Sequence, residues 1–297
     1  MAEFNPVLVK ELRGRMRGPS AFMLLTGYLL LLGLVTLLLY TALADSAGSE
    51  LNAGQRIGKQ LFIVIATVAL IEVCVITPAL TAGSIVGEKE RQTYDLLIAS
   101  LLSPWQIVWG KLAAALAFAL LMIVSVVPLM SLAFLFGGVS LAEVLIALVG
   151  LLMTALLYAT VGLFWSAIMH STLGATSFAL GSIIVMLLGI PFLAAIFTLI
   201  FAQGTTPEWT RSALFIYLSG AFVSIHPFIA LGLTETLLNA GDSPFFSVFD
   251  PQGANITIPS PWLAYVVLAA LFSIVLLWFS VRMLRPEPPI AKQARAT

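Results

Sequence analysis

Six long apolar stretches constrain this chain more than any other feature of its sequence. A helix needs about 20 predominantly apolar residues, with few charges, to cross the hydrocarbon core of a bilayer. Each of the six stretches meets that requirement. The sequence therefore predicts an all-α integral membrane protein with six transmembrane helices, at about residues 21–44, 61–86, 112–137, 141–168, 174–202 and 262–283.

The composition excludes the soluble classes of protein. Apolar residues make up 60% of the 297 residues and charged residues 9%, with a mean hydropathy of +1.07, whereas soluble domains carry about 25% charged residues. The 14 basic residues are balanced by 14 acidic ones, so no overall field attracts nucleic acid. We expect one membrane domain over residues 1–297 and no nucleic-acid partner.

The distribution of basic residues predicts the orientation. Lys and Arg in short loops favour the cytoplasmic side, and six spans with the N-terminus inside place eleven of the 14 basic residues there. A further apolar segment, residues 212–238, is divided by His226-Pro227 into pieces too short to span. We expect one or two helices at the outer surface there, within an outer segment of residues 203–261, and both termini in the cytoplasm.

The residues before the first span have two possible roles, binding to lipid and orienting the span. Asn5-Pro6 is a typical helix start, and Lys10 and Arg13 alternate with apolar residues at helical spacing over residues 4–18. This pattern predicts an amphipathic helix that binds anionic lipids at the inner interface, and the same charges would also orient the first span. The following apolar run is longer than that of a secretory signal, so we expect it to be retained.

The motifs of common catalytic sites are missing from the sequence. Gly54 to Gly58-Lys59 is one residue shorter than a phosphate-binding loop and lacks the following Ser or Thr. His170 and His226 are not at metal-binding spacings, and Cys74 lies alone in an apolar run. We expect that this chain is not an enzyme and binds no cofactor or metal.

The connection between the second and third predicted spans, residues 87–111, has the highest charge density. Five charged side chains fall within nine residues, and Ser103-Pro104 further on is a typical pair of N-cap and first-turn proline. This pattern predicts a short amphipathic helix to which a soluble partner binds. A solvated loop that only fixes the topology fits the same residues equally well.

Glu72 is the one acidic residue near the middle of a predicted span. A charged group there costs about 2.5–3.5 kcal/mol, and such residues usually face the bundle interior or a wet cavity. Two interpretations remain open. Glu72 is either a translocation-path group for substrate or protons, or a protonated carboxyl that is hydrogen-bonded to a neighbouring helix.

Three segments resemble those of a known family, the permeases of ATP-binding-cassette (ABC) type-two exporters. The sequences EKERQTYDLL (residues 88–97) and SPWQIVWGK (103–111) resemble the coupling segment of that family, and NPVLVKELR (5–13) resembles its N-terminal elbow helix. Gln92 and Leu101 depart from the pattern, because the family often has Gly and Pro at these positions. With six spans and a large last outer loop, the resemblance covers essentially the whole chain.

The resemblance implies a permease subunit of a bacterial ABC exporter in the cytoplasmic (inner) membrane. Such permeases pair with a second copy, identical or not, and bind a separate ATPase subunit that holds ATP and magnesium. The turn at residues 169–172 would be a second, smaller ATPase contact or a simple tight turn. The implied ATPase-coupling residues are Glu88, Glu90, Arg91, Thr93, Tyr94, Asp95, Leu96, Leu97, Ser103 and Pro104, the elbow-helix residues are Pro6, Lys10, Glu11 and Arg13, and the path candidate is Glu72.

Two other functions compete with this interpretation. The first is an ion-coupled secondary transporter or channel that uses Glu72, although a single buried carboxyl and the lack of an evident inverted repeat argue against it. The second is a membrane scaffold or assembly factor. The mostly apolar spans suggest a lipophilic, amphipathic or lipid-linked cargo for the exporter.

Overall fold

The computed structural model describes residues 6–16, 19–47, 52–94, 102–202, 207–249 and 256–284. Within these ranges the chain forms ten α-helices, one 3-10 turn (Glu208–Arg211) and one two-stranded sheet. The helices are α1 (Pro6–Met16), α2 (Pro19–Ala47), α3 (Ala53–Ala82), α4 (Val86–Glu90), α5 (Pro104–Phe136), α6 (Leu141–Ile168), α7 (Thr172–Ala202), α8 (Ala213–Ser224), α9 (Pro227–Asn239) and α10 (Pro261–Met283), and the strands are β1 (Phe246–Phe249) and β2 (Ile256–Pro259).

Six of the described helices are long and apolar enough to cross a membrane, which confirms the six predicted spans. They are α2, α3, α5, α6, α7 and α10. The helices α3 and α5 begin at Ala53 and Pro104 instead of at residues 61 and 112, because their polar first turns are helical as well. Apolar length therefore marks the membrane-crossing part of a helix but not its ends.

The core of the bundle lies between α3, α5 and α6. These three helices carry most of the buried side chains, α10 and α7 pack against α6, and α2 packs against α3. In contrast, α2 and α7 bury only 11% of their most apolar segments. Their exposed apolar faces are the surfaces that lipid or another membrane helix would cover.

The crossing of α3 and α6 depends on Gly162. A Cβ atom at this position would overlap the Oγ1 of Thr81 and the backbone O of Pro78 on α3. Small residues at such crossings let two membrane helices approach closely. The Thr81 hydroxyl donates to the backbone O of Thr77 and Pro78 over 3.3 and 3.2 Å, so its polar group is satisfied within α3.

The segment between α7 and α10 is bent back on itself, as the His226-Pro227 pair predicts. The helices α8 and α9 meet at an angle of 117°. The Nδ1 of His226 accepts from the N–H of Ile229 over 3.2 Å and so caps α9, while its Nε2 lies 3.0 Å from the backbone O of Leu187 on α7. The antiparallel pair of β1 and β2 that follows was not predicted from the sequence.

The two ends of the bundle differ in what they carry. One end, here named the α1 end, holds α1, α4 and the turn between α6 and α7. The other, named the α9 end, holds α8, α9 and the hairpin. Most of the residues singled out in the sequence lie at the α1 end.

Candidate functional site

The connector, defined as residues 83–94, follows α3 and contains α4. Ile85 and Val86 are fully buried, and their backbone N–H groups both donate to the Oγ of Ser166 on α6, over 2.9 and 3.1 Å. Ser166 is buried as well. Because a buried N–H without a partner costs about 1–3 kcal/mol, Ser166 fixes the connector to α6. The start of the connector is therefore an ordered part of the bundle.

Lys89 joins the connector to the C-terminal end of α6. Its Nζ donates to the backbone O atoms of Ala167 and Met169, over 2.6 and 3.3 Å. The last carbonyl groups of a helix lack partners within it and carry partial negative charge, so a cation is favourable there. The same Nζ lies 5.7 Å from the ring centre of Tyr94, which packs on the apolar cluster that contains Ile85.

Glu90 joins the connector to the start of α7. Its carboxylate accepts from the backbone N–H of Thr172 over 2.7 Å and from the Thr172 hydroxyl. Thr172 is the first residue of α7, where backbone N–H groups lack partners and a negative charge is favourable. The structure thus brings Glu90 and the turn at residues 169–172 together through Thr172, although the sequence suggested two separate contacts.

Lys111 is the buried charge of the site. Its side chain is 1% exposed, and its Nζ donates to the Oε1 of Glu11 on α1 and to the backbone O of Ser84, both over 2.7 Å. The Oε1 of Glu88 lies 3.8 Å from the same Nζ. Removing an ammonium group from water costs several kcal/mol unless it is paired. Lys111 therefore holds α1, α5 and the connector in one arrangement.

Both carboxylate oxygens of Glu88 have partners within the chain. Its Oε1 lies 3.3 Å from the Nζ of Lys10 on α1, and its Oε2 accepts from the Thr93 hydroxyl. Neighbouring residues of α1, Lys10 and Glu11, thus both pair with this region. A polar cavity of about 340 Å³ lies between α1 and the connector, and it is lined by Lys10, Glu11, Gly14, Glu88, Arg91 and Thr93.

Part of the segment for which the sequence predicts an amphipathic helix lies outside the described residues, so that helix stays a prediction. The helix α4 ends at Glu90, and Gln92 has a φ of +58°, in the left-handed region that side chains with a Cβ disfavour. Glycine adopts this conformation without strain, and it is the residue that the resemblance implies at the position of Gln92. The predicted coupling residues Asp95, Leu96 and Leu97 lie outside the described residues.

The helix start predicted at Ser103-Pro104 is confirmed in detail. The Oγ of Ser103 accepts from the N–H of Gln106 over 3.3 Å, and the Ser103 N–H donates to the Oε1 of Gln106 over 2.8 Å. This reciprocal pair is a capping box. Pro104 is the first helical residue of α5, just as Pro6 is the first of α1.

The elbow candidates form one helix at the α1 end, since Pro6, Lys10, Glu11 and Arg13 all lie on α1. Lys10 and Arg13 are exposed, whereas Glu11 is half-buried against Lys111. Whether α1 binds lipid remains a prediction.

Three side chains of the site, Lys89, Lys111 and Ser166, were not assigned a role from the sequence. Together with Thr172, they supply most of the bonds that hold the connector. Lys111 had a signal, because it is a single charge in the 33-residue helix α5. A lone Ser or Thr in or beside an apolar helix carries no such signal.

Glu72 lies away from this cluster, within α3. Its Oε2 is buried and has no hydrogen-bond partner among the described residues, and the same is true of the Tyr28 hydroxyl on α2. The described residues therefore offer no hydrogen-bond partner to the Oε2 of Glu72. The role of Glu72 in the translocation path stays a prediction.

The sequence of the chain matches one family of known proteins. The profile of the family described as ABC-2 family transporter protein matches residues 49–282. The match begins just before α3 and ends within α10, so it contains the connector and five of the six candidate spans. No curated protein sequence matches the chain significantly.

Proposed function

The chain belongs to the ABC-2 family of transporter proteins, and from this premise we propose that it couples ATP hydrolysis by a partner to export. Its family membership supports a membrane-spanning permease subunit of an ABC transporter. In the proposal, ATP and magnesium bind to a separate ATPase subunit, and two permease copies, identical or different, form the path between them. The apolar spans favour a lipophilic or amphipathic cargo.

We propose that the α1 end faces the cytoplasm of a bacterium, across its inner membrane, with both termini inside. The charges support this orientation, because Lys and Arg accumulate on the cytoplasmic side of short loops. Lys10, Arg13, Lys89, Arg91 and Lys111 lie at the α1 end. The exposed basic face of α1 would also attract anionic lipids.

One observation carries the proposal: the connector is bonded to four helices at once. Ser166 and Lys89 join it to α6, Glu90 to α7, and Lys111 to α5 and α1. A partner that displaces the connector would therefore displace these helices with it. Shifts of packed helices of about 1–2 Å are a common form of such transitions.

The docking residues are fewer in this proposal than the sequence suggested. Glu88 and Glu90 bind within the chain, so we assign them to positioning the connector. Arg91 is exposed beside them and is the cation we propose for contact with the ATPase. An exposed ion pair of this kind contributes about 0–1 kcal/mol, so the predicted apolar contacts at Leu96 and Leu97 would supply most of the affinity.

The proposal is tested by purifying the chain from its native host under mild conditions. We expect an ATPase subunit to copurify, and Arg91→Ala to weaken its retention several-fold without changing the stability of the permease. Arg56→Ala, at the α9 end, is the matched control and should leave retention unchanged. The proposal is wrong if no ATPase associates, or if the reconstituted chain moves cargo without ATP.

The unpartnered Oε2 of Glu72 supports a role for this residue in the path. We expect Glu72→Gln to lower ATP-driven transport while the ATPase is still retained, because Glu72 lies far along α3 from the connector. The competing function, an ion-coupled transporter, makes a different prediction. There the chain alone would transport cargo in response to a proton or sodium gradient, and Glu72→Gln would abolish that transport.

A further inference from the structure

A second cluster of charges lies at the α9 end, on three different helices. The Nζ of Lys59 on α3 is 2.7 Å from the Oε2 of Glu143 on α6 and forms another ion pair with Glu235 on α9. The three side chains are only 16%, 11% and 15% exposed, respectively. One ammonium group is thus shared by two carboxylates, which leaves the three residues with a net negative charge.

An apolar pocket lies next to this cluster, between α3, α6 and α9. The two carboxylates are the charged side chains that line it, and Thr67 and Thr234 are the uncharged polar ones. Ile63, which lines the pocket, is 41% exposed, so the pocket is reachable from the surface of the bundle. Its apolar walls come from α3 (Phe62, Ala66, Leu70), α6 (Ile146, Ala147) and α9 (Phe228, Leu231, Leu238).

We propose that this pocket binds an alkylammonium amphiphile, a molecule with one cationic amine and one alkyl chain. The amine would lie between Glu143 and Glu235 and supply the second positive charge that these carboxylates lack. The alkyl chain would lie along Phe62 and Leu70. This site needs neither ATP nor a second copy, so it extends beyond the proposed export function and stands or falls independently of it.

The chemistry of the pocket selects this ligand over related ones. A fatty acid or a phosphate-bearing lipid would place its negative charge beside two carboxylates, and repulsion between like charges disfavours that. A neutral alcohol would fill the apolar part but would add no charge. An alkylamine fills the apolar part with its chain and places a positive charge beside the two carboxylates. Charge-assisted hydrogen bonds to carboxylates are about twice as strong as neutral ones.

The size of the pocket sets the length of the alkyl chain. The free volume of the pocket is about 100 Å³. A group of the size of a water molecule, such as one CH₂ or NH₃⁺ group, needs about 10–15 Å³ of such volume, so roughly seven to ten groups fit. Along α3 the walls run from Phe62 to Leu70, which at 1.5 Å per residue is about 12 Å. Octylamine matches both dimensions.

The probes for the test are octylamine, octanol and octanoate, which share a chain and differ in charge. Calorimetric titration at pH 7 uses the full-length protein in phosphatidylcholine nanodiscs, and the signal of empty nanodiscs is subtracted. We expect saturable binding of one octylamine per chain, at least tenfold tighter than octanol, and no saturable binding of octanoate. Equal binding of octylamine and octanol, or no saturation, would overturn the proposal.

Two substitutions locate the site. Glu235→Gln should weaken octylamine binding at least tenfold and leave octanol binding unchanged, because it removes a charge but no volume. Gly232→Leu should abolish binding of both, since Gly232 lines the pocket and a Cβ there meets no atom within 4 Å. Unchanged octylamine affinity in Gly232→Leu would refute the site even if Glu235→Gln fails to fold.

The matched controls change the same residue types elsewhere. Asp45→Asn removes an exposed carboxylate at the end of α2, and Gly220→Leu adds a side chain to α8, where a Cβ also meets no atom within 4 Å. Both should bind octylamine as the unmodified chain does. If either control weakens binding as much as its partner variant, the effect is not specific to the pocket and the proposal fails.

Discussion

Replacing Lys111 by methionine tests whether a buried cation holds α1 and the connector together. Methionine keeps a long, unbranched side chain but removes the bonds that Lys111 donates to the Oε1 of Glu11 and the backbone O of Ser84. Breaking a fully buried pair costs about 3–5 kcal/mol. The Glu11 and Glu88 side chains remain 19% and 16% exposed, so water partly replaces the lost donor. We therefore expect a loss of about 2 kcal/mol, close to that of one charged hydrogen bond.

Lys10→Met is the matched control, because the same chemical change is made on the same cluster. The Lys10 side chain is 70% exposed, and its Nζ lies 3.3 Å from Glu88, so its loss should change stability by less than about 0.5 kcal/mol. The measurement is the free energy of unfolding of the purified chain in mixed micelles, from denaturant titration. If Lys111→Met costs no more than Lys10→Met, the assignment of Lys111 is wrong.

Three further substitutions test the neighbouring contacts by the same titration. Ser166→Ala leaves two buried N–H groups of the connector without an acceptor, so we expect a loss of about 2 kcal/mol and a far smaller one for the exposed Ser131→Ala. Gly162→Ala forces α6 away from α3 and should cost about 1–3 kcal/mol, whereas Gly181→Ala, whose Cβ meets no atom within 4 Å, should cost nothing. Gln92→Gly places glycine at a left-handed backbone position and should stabilise the folded chain by about 1 kcal/mol. A loss of stability there would contradict the strain argument.

The features that the sequence predicted are those that local chemistry determines. The six spans follow from apolar length, and the start of α5 follows from the Ser103 side chain and the proline after it. The bend between α8 and α9 follows from Pro227, which cannot continue a helix from the residue before it.

The features that the sequence did not predict depend on distant partners. Glu11 and Lys111 are 100 residues apart in the chain, and they meet because α1 packs along α5. In the sequence, the charges of Glu88 and Glu90 suggest contacts with a partner protein. In the structure, Glu88 pairs with Lys10 on α1 and Glu90 with Thr172 on α7. Charge density therefore indicates that the segment has polar contacts, but it does not show that the partners of its acids lie on α1 and α7.

Lys111 and Lys59 lie at opposite ends of the bundle and follow the same physical rule. Each connects the bundle to a short helix, α1 with 11 residues or α9 with 13, and isolated helices of that length are marginal in water. Displacing either helix would leave a buried ammonium group with fewer partners, which costs far more than the pair itself contributes. These pairs therefore specify position more than they add stability.

A double substitution separates the two effects. Lys111→Met with Glu11→Met removes both charges of this pair, and replacing a buried pair by apolar residues is often neutral or stabilising. We expect the double variant to regain part of the stability that Lys111→Met loses, and the remainder to be the lost bond to Ser84. If nothing is regained, the Ser84 bond accounts for the whole loss, and Glu11 does not hold α1 in place.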